Sequence, residues 1–175
     1  FMLAANQFVA LNLHERGIPS IHRIHEAPDP ERLRGFNEYI DSFGLKIPSP
    51  VRSTDLQALL EKINDRPEER VVNTLLLRTM KKARYSETDP GHFCLGFPHY
   101  AHFTSPIRRY PDLMVHRIIK KYLKRKCPQK DKKGLYSRLA EISEQSTQME
   151  IQAMAISREV TDLRRTQFMV DKVGH

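Results

Sequence analysis

Between Leu135 and Val173 the chain has neither proline nor glycine, and its apolar residues return at helical intervals. Leu135, Leu139, Ile142, Met149, Ala153, Ile156, Val160 and Leu163 are spaced by threes and fours, with Ser146 filling the one gap. Such spacing keeps one face of a helix apolar turn after turn. A helix of about 35 residues is therefore expected, packed lengthwise with this stripe as core.

Proline and glycine mark out shorter elements elsewhere. FMLAANQFVALNL predicts a buried first helix that runs to about Arg16, where Gly17 takes a left-handed C-terminal position and Pro19 forbids continuation. IHRIH at 21–25 is strand-like. Asp29 is placed to cap a helix opened by Pro30, with Leu33, Phe36, Ile40 and Phe43 on one face until Gly44. Thr54 and Gln57 have capping-box spacing ahead of DLQALLEKI, and Pro67 is set to open EERVVNTLLLRTMKKARY, whose basic last turn suits the helix dipole. From 86 to 104, Pro90, Gly91, Gly96 and Pro98 break the pattern around HFCLGF, a short strand by composition, and an exposed site is expected there. The expected fold is α+β and mostly helical, with a few short strands and a long C-terminal helix.

No apolar run reaches the roughly 18 residues that a membrane span needs. Cys94 and Cys127 have neither CxxC spacing nor an evident pairing, which points to reduced thiols and a cytoplasmic location. Net charge is +8, and nine Lys or Arg stand against the single acid Asp131 from Arg117 to Lys133. That run, with Lys120, Lys121 and Lys124 within it, either attracts a polyanion or is a solvated helix end.

The densest chemistry lies in HYAHFTSPIRRYPDLMVHR, residues 99–117. Ser105 can cap a turn that opens at Pro106, and Pro111 restarts the helix, so Arg108 and Arg109 sit on a braced turn. Neighbouring helical residues point about 100° apart, so the two arginines have different tasks. One can grip a phosphate with two parallel hydrogen bonds while the other pairs with Asp112; spacing leaves open which does which. His102, Phe103, Tyr100 and Tyr110 offer faces for stacking bases, or serve as core anchors. His92, His99 and His102, with Cys94, match no zinc spacing, so no metal ligand is assigned. His116 reads as a packing histidine. No nucleophile elbow, Gly-rich phosphate loop or HExxH is present.

YAHFTSPIRRYPDLMVHRIIK resembles the signature of the RNase II/RNB family of 3′-to-5′ exoribonucleases. FMLAANQFVA, RIHEAPDPERL, LLLRTMKKARY, GHFCLGF, REVTDL and QFMVDKVG resemble further pieces of its catalytic domain in the same order. The resemblance implies that residues 1–175 are the C-terminal part of one RNB catalytic domain, with the upstream part and the flanking OB-fold RNA-binding domains as its partners. It also implies processive hydrolysis of single-stranded RNA to 5′-monophosphates. Mg²⁺ would be held by aspartates upstream of these residues, so the fragment alone is expected to be inactive. Arg108 matches the family's catalytic arginine. Arg109, Tyr110, Ser105, His102, Lys120, Lys121 and Lys124 are then expected to bind RNA. Where some members carry a Glu before the Arg of the REV element, this chain has Ser157, and no role is carried over to it. The competing readings are an RNA-binding module or inactive paralogue of the same fold, and a plain helical interaction domain.

Overall fold

The computed structural model describes residues 1–122 and 128–172. Its main elements are α1 (Met2–Glu15), β1 (His22–Ile24), α2 (Pro30–Asp41), α3 (Ser53–Ile63), α4 (Glu69–Thr79), β2 (Arg84–Ser86), α5 (Tyr110–Tyr122) and α6 (Gln129–Met169). None of the described helices is long and apolar enough to cross a membrane.

Local chemistry explains most boundaries. α1 ends where Gly17, at φ +60°, donates to the His14 carbonyl and Ile18 donates to Leu13, an ending that glycine adopts without a Cβ clash. Asp29 Oδ1 accepts the Glu31 and Arg32 amides at 3.0 and 3.2 Å, capping α2 as expected. The capping box expected at Thr54 and Gln57 does not form. α3 begins at Ser53, the Asp55 carboxylate accepts the Arg52 amide at 2.8 Å, and Gln57 donates to Glu61. A charged carboxylate satisfies a helix N-terminus better than a neutral amide does.

Two hydrophobic cores result. In the first, Leu33, Phe36 and Ile40 of α2 meet Leu56, Leu59 and Ile63 of α3 and Val72 and Leu76 of α4. In the second, Leu13, Ile18, Ile21 and Tyr85 pack with Met114, Val115, Ile118 and Tyr122 of α5 and Leu139 of α6. β1 and β2 pair antiparallel, with Arg23 opposite Tyr85.

That pairing corrects the helix expected through residue 85. α4 stops at Thr79, and Arg84–Ser86 joins the sheet, where Tyr85 is buried. Sheet pairing overrides the local helical preference. HFCLGF is likewise not a strand. Phe93–Leu95 form a 3₁₀ turn closed by Gly96 at φ +65°, and His92 bridges to both His25 and Phe97.

The expectation of a buried first helix also fails. Asn6, Ala10 and Leu13 face inward, while Phe1, Met2, Leu3 and Phe8 are exposed. Apolar residues lie all round α1, so periodicity cannot choose its inner face; the two hydrogen bonds of Asn6 described below do.

α6 has 41 residues, about 60 Å at 1.5 Å per residue. A packed body of this size has a radius of gyration of only about 16 Å, so the helix outruns it. Leu139 and Ser143 are buried, but Met149, Ile156, Val160 and Leu163 are exposed. The apolar stripe exists as spacing, but only its first half is core. In this 175-residue chain, Leu139→Ala is expected to cost about 2 kcal/mol or more, and Leu163→Ala within about 0.5 kcal/mol of nothing. Urea unfolding of the two variants distinguishes a half-packed α6 from one packed throughout, for which the costs would be similar.

Candidate functional site

The stretch 99–109 is held from three sides. The Arg23 amide of β1 donates to the Tyr100 carbonyl at 2.9 Å. Asn6 of α1 donates Nδ2 to the Tyr100 hydroxyl at 3.1 Å and accepts the Phe103 amide at 3.0 Å. His116 of α5 stacks on Phe103 at 4.1 Å, and its Nε2 donates to the Phe103 carbonyl at 2.9 Å. A carbonyl only accepts, so Nε2 carries the proton.

The turn itself is closed by the Ser105 carbonyl, which accepts the Arg108 and Arg109 amides at 3.3 and 3.1 Å. Ser105 takes part through its backbone, its amide donating to Asp112 Oδ1 at 2.8 Å. Arg109 donates to the same oxygen at 2.7 Å, and Asp112 is 0% exposed. Arg109 is thus the arginine paired with a carboxylate. Arg108 is exposed and has no ion-pair partner among the described residues. It borders a cleft of about 680 Å³ between this turn and α6, with Arg109, Tyr110, Tyr85, Met149 and Glu150 also on its walls. A rigid turn therefore presents one neutralised and one unneutralised guanidinium to the same space.

Beside the arginines lies a half-buried polar layer. Arg23 stacks over the Tyr85 ring at 4.7 Å and donates to Glu150 of α6 at 2.6 Å. The Tyr85 hydroxyl and His102 Nδ1 share a hydrogen bond at 3.0 Å, and the Tyr85 amide donates to Thr147 Oγ1 of α6 at 3.0 Å. Burial pushes the His102 imidazole down to about 4, and the cationic Arg109 and Arg23 add to this. Burial, then His25 and Arg23, push His92 down to about 4 as well. An unfolded histidine takes up its proton near pH 6.5. Between there and about pH 4 the unfolded chain therefore binds protons that the folded chain refuses. Stability is expected to be fullest above pH 6.5 and to fall as pH drops toward 4. The slope is at most about 1.4 kcal/mol per pH unit for each histidine, and less where solvent reaches the ring. Urea midpoints at pH 7 and 4.5 check this; equal values would mean that the rings charge freely in the fold.

Arg108, Arg109 and Tyr110 thus meet at one cleft, with Ser105 and His102 bracing the turn beside it. Lys120 and Lys121 are exposed in the last turn of α5, about 15 Å of helix from Tyr110; Lys124 lies outside the described residues. Asn6, Arg23, Tyr85 and Glu150 were not singled out from sequence. The available signal was Asn6, one of the polar residues, with Gln7 and Asn12, that interrupt the apolar run of α1.

Mg²⁺ requires a near-octahedral set of oxygen ligands. Glu150, the one carboxylate bordering the cleft among the described residues, is engaged by Arg23, and Asp112 is held by Arg109 and Ser105. The described residues around Arg108 therefore do not fit a Mg²⁺ site.

A family model described as the RNB domain matches residues 1–125. The chain is 43% identical to ribonuclease R 1 of Lactococcus lactis and 39% identical to ribonuclease R of Aquifex aeolicus, in each case over 99% of its own length. It spans 22% and 25% of those two proteins. Its fold is similar to that of Mycoplasma genitalium RNase R in complex with double-stranded RNA, with a TM-score of 0.88 and 30% identity over 99% of this chain and 32% of that one. It is also similar to yeast Ssd1, a pseudonuclease, with a TM-score of 0.69 and 28% identity over 84% of this chain and 19% of that one. The family match covers most of the residues, and it includes the turn that carries both arginines; the chain belongs to the RNB domain family, with ribonuclease R among its relatives.

Proposed function

We propose that this chain is the C-terminal part of the catalytic domain of a cytoplasmic 3′-to-5′ exoribonuclease that hydrolyses single-stranded RNA processively to 5′-monophosphates. The observation that carries this reading is the exposed Arg108 guanidinium, fixed on a braced turn at an open cleft while Arg109 is neutralised by buried Asp112. Phosphodiester cleavage gathers negative charge on the non-bridging oxygens, and a preorganised guanidinium stabilises it. Likeness to ribonuclease R in complex with RNA supports RNA as the ligand. In this reading Arg109, Tyr110, Ser105 and His102 frame the end of the RNA channel. Lys120, Lys121 and Lys124 attract the backbone farther away. The required Mg²⁺ is held by carboxylates outside these 175 residues, with further RNA contacts from OB-fold domains.

A second reading, an RNA-binding paralogue without activity, is favoured by the likeness to a pseudonuclease. Incubating the intact protein with a 5′-labelled single strand, with and without Mg²⁺, decides between them. Stepwise shortening only with the metal supports the nuclease. Retention of uncut RNA supports the paralogue.

A further inference from the structure

Away from the cleft, three histidines and a carboxylate from separate parts of the chain meet. His14 is in the last turn of α1, His22 opens β1, and Asp89 and His99 flank the 3₁₀ turn. His99 Nδ1 donates to Asp89 Oδ2 at 2.7 Å, and His22 Nδ1 lies 3.4 Å from that same oxygen. The His14 ring stacks on His99, centroids 3.8 Å apart. Donor atoms of His14, Asp89 and His99 all lie within 4.8 Å of one another. Ligands of a tetrahedral ion with bonds of about 2.0–2.1 Å stand about 3.3 Å apart, so small side-chain adjustments suffice to chelate one.

A second observation is independent of this proximity. His22 is only 6% exposed, and its buried Nδ1 has no hydrogen-bond partner among the described residues; buried Asp89 Oδ1 has none either. Buried polar atoms are nearly always paired. His22 Nδ1 meets only the Asp89 carboxylate, at 3.4 Å and without an aligned hydrogen bond, and the free lone pairs of Asp89 Oδ1 are of the kind that a bound cation takes up.

We propose that His14, Asp89 and His99, with the buried His22 beside Asp89, bind a divalent first-row transition ion of the Zn²⁺ class. Imidazole donors select such ions over Mg²⁺ or Ca²⁺. The ion staples the end of α1 and β1 to the loop that leads into Tyr100–Arg109. The site differs from the histidine set weighed from sequence: His92 and His102 turn instead to Tyr100 and Tyr85.

The test is calorimetric titration of the chelator-stripped 175-residue chain with Zn²⁺ at pH 7.5, with Mg²⁺ as control. One Zn²⁺ is expected to bind, and at a hundredfold excess over Kd the melting midpoint should rise by about 5–10 °C. Co²⁺ in its place should show the visible absorption of a tetrahedral ion. His14→Ala and His99→Ala should each weaken Zn²⁺ by at least about tenfold; His14 is exposed, so its loss leaves the fold intact, which circular dichroism verifies. No binding, equal binding of Mg²⁺, or Zn²⁺ binding indifferent to His14→Ala would overturn the assignment.

Discussion

If the proposed function holds, replacing Arg108 with alanine in the intact protein is expected to lower turnover on single-stranded RNA by about 10²-fold or more, roughly 3 kcal/mol of transition-state stabilisation, and to change RNA affinity much less. The expectation rests on geometry. The Arg108 amide is tied to the Ser105 carbonyl at 3.3 Å, and its side chain is exposed with no ion pair among the described residues. Truncating it breaks no packing, so a lost rate cannot be ascribed to a lost fold. Arg108→Lys keeps the charge but not the planar fork, and should restore only part of the rate. Single-turnover cleavage and equilibrium binding measured on one RNA separate the two effects. Losses of equal size in rate and in binding would assign Arg108 to holding RNA.

Asp112→Ala is expected to destabilise the fold by about 3–5 kcal/mol, with a fall in melting midpoint on the order of 10 °C. The fully buried carboxylate takes hydrogen bonds from the Ser105 amide and the Arg109 guanidinium through one oxygen. Alanine strands a buried amide and a largely buried cation together, and an unpaired buried charge costs more than the pair contributed. Asp112→Asn keeps an acceptor oxygen and should fall between. Thermal and urea unfolding of the 175-residue chain measure this, and a cost below about 1 kcal/mol would show that Arg109 swings out to water. The contrast between the arginines follows: Arg109→Ala acts mainly on stability, Arg108→Ala mainly on rate.

Where a boundary depends on a few adjacent residues, it is legible in the sequence. Gly17 ends α1 and Asp29 with Pro30 starts α2 because backbone conformation and cap chemistry act within one turn. Expectations fail where a distant partner decides. Arg84–Ser86 leaves the helical pattern because β1 lies beside it. α6 continues helical to Met169, yet Val160 and Leu163 are exposed, with no buried contact among the described residues. The site divides along the same line. The braced turn and its pair of arginines can be read from FTSPIRRYPD, but their division of labour depends on which one reaches Asp112, and spacing allowed either.

By itself the sequence determined the helical character, the end of α1 and the cap of α2, the 105–111 turn and the family, because each follows from residue order over a short span or a long stretch of matched residues. Only the tertiary structure decided which face of α1 is buried, which guanidinium is neutralised, that Glu150 pairs with Arg23, and that His14, His22, Asp89 and His99 meet. Most of those outcomes depend on contacts between residues tens to more than a hundred positions apart, such as Arg23 and Glu150, and the choice between the arginines, though made within one turn at Asp112, depends on side-chain directions that spacing leaves open.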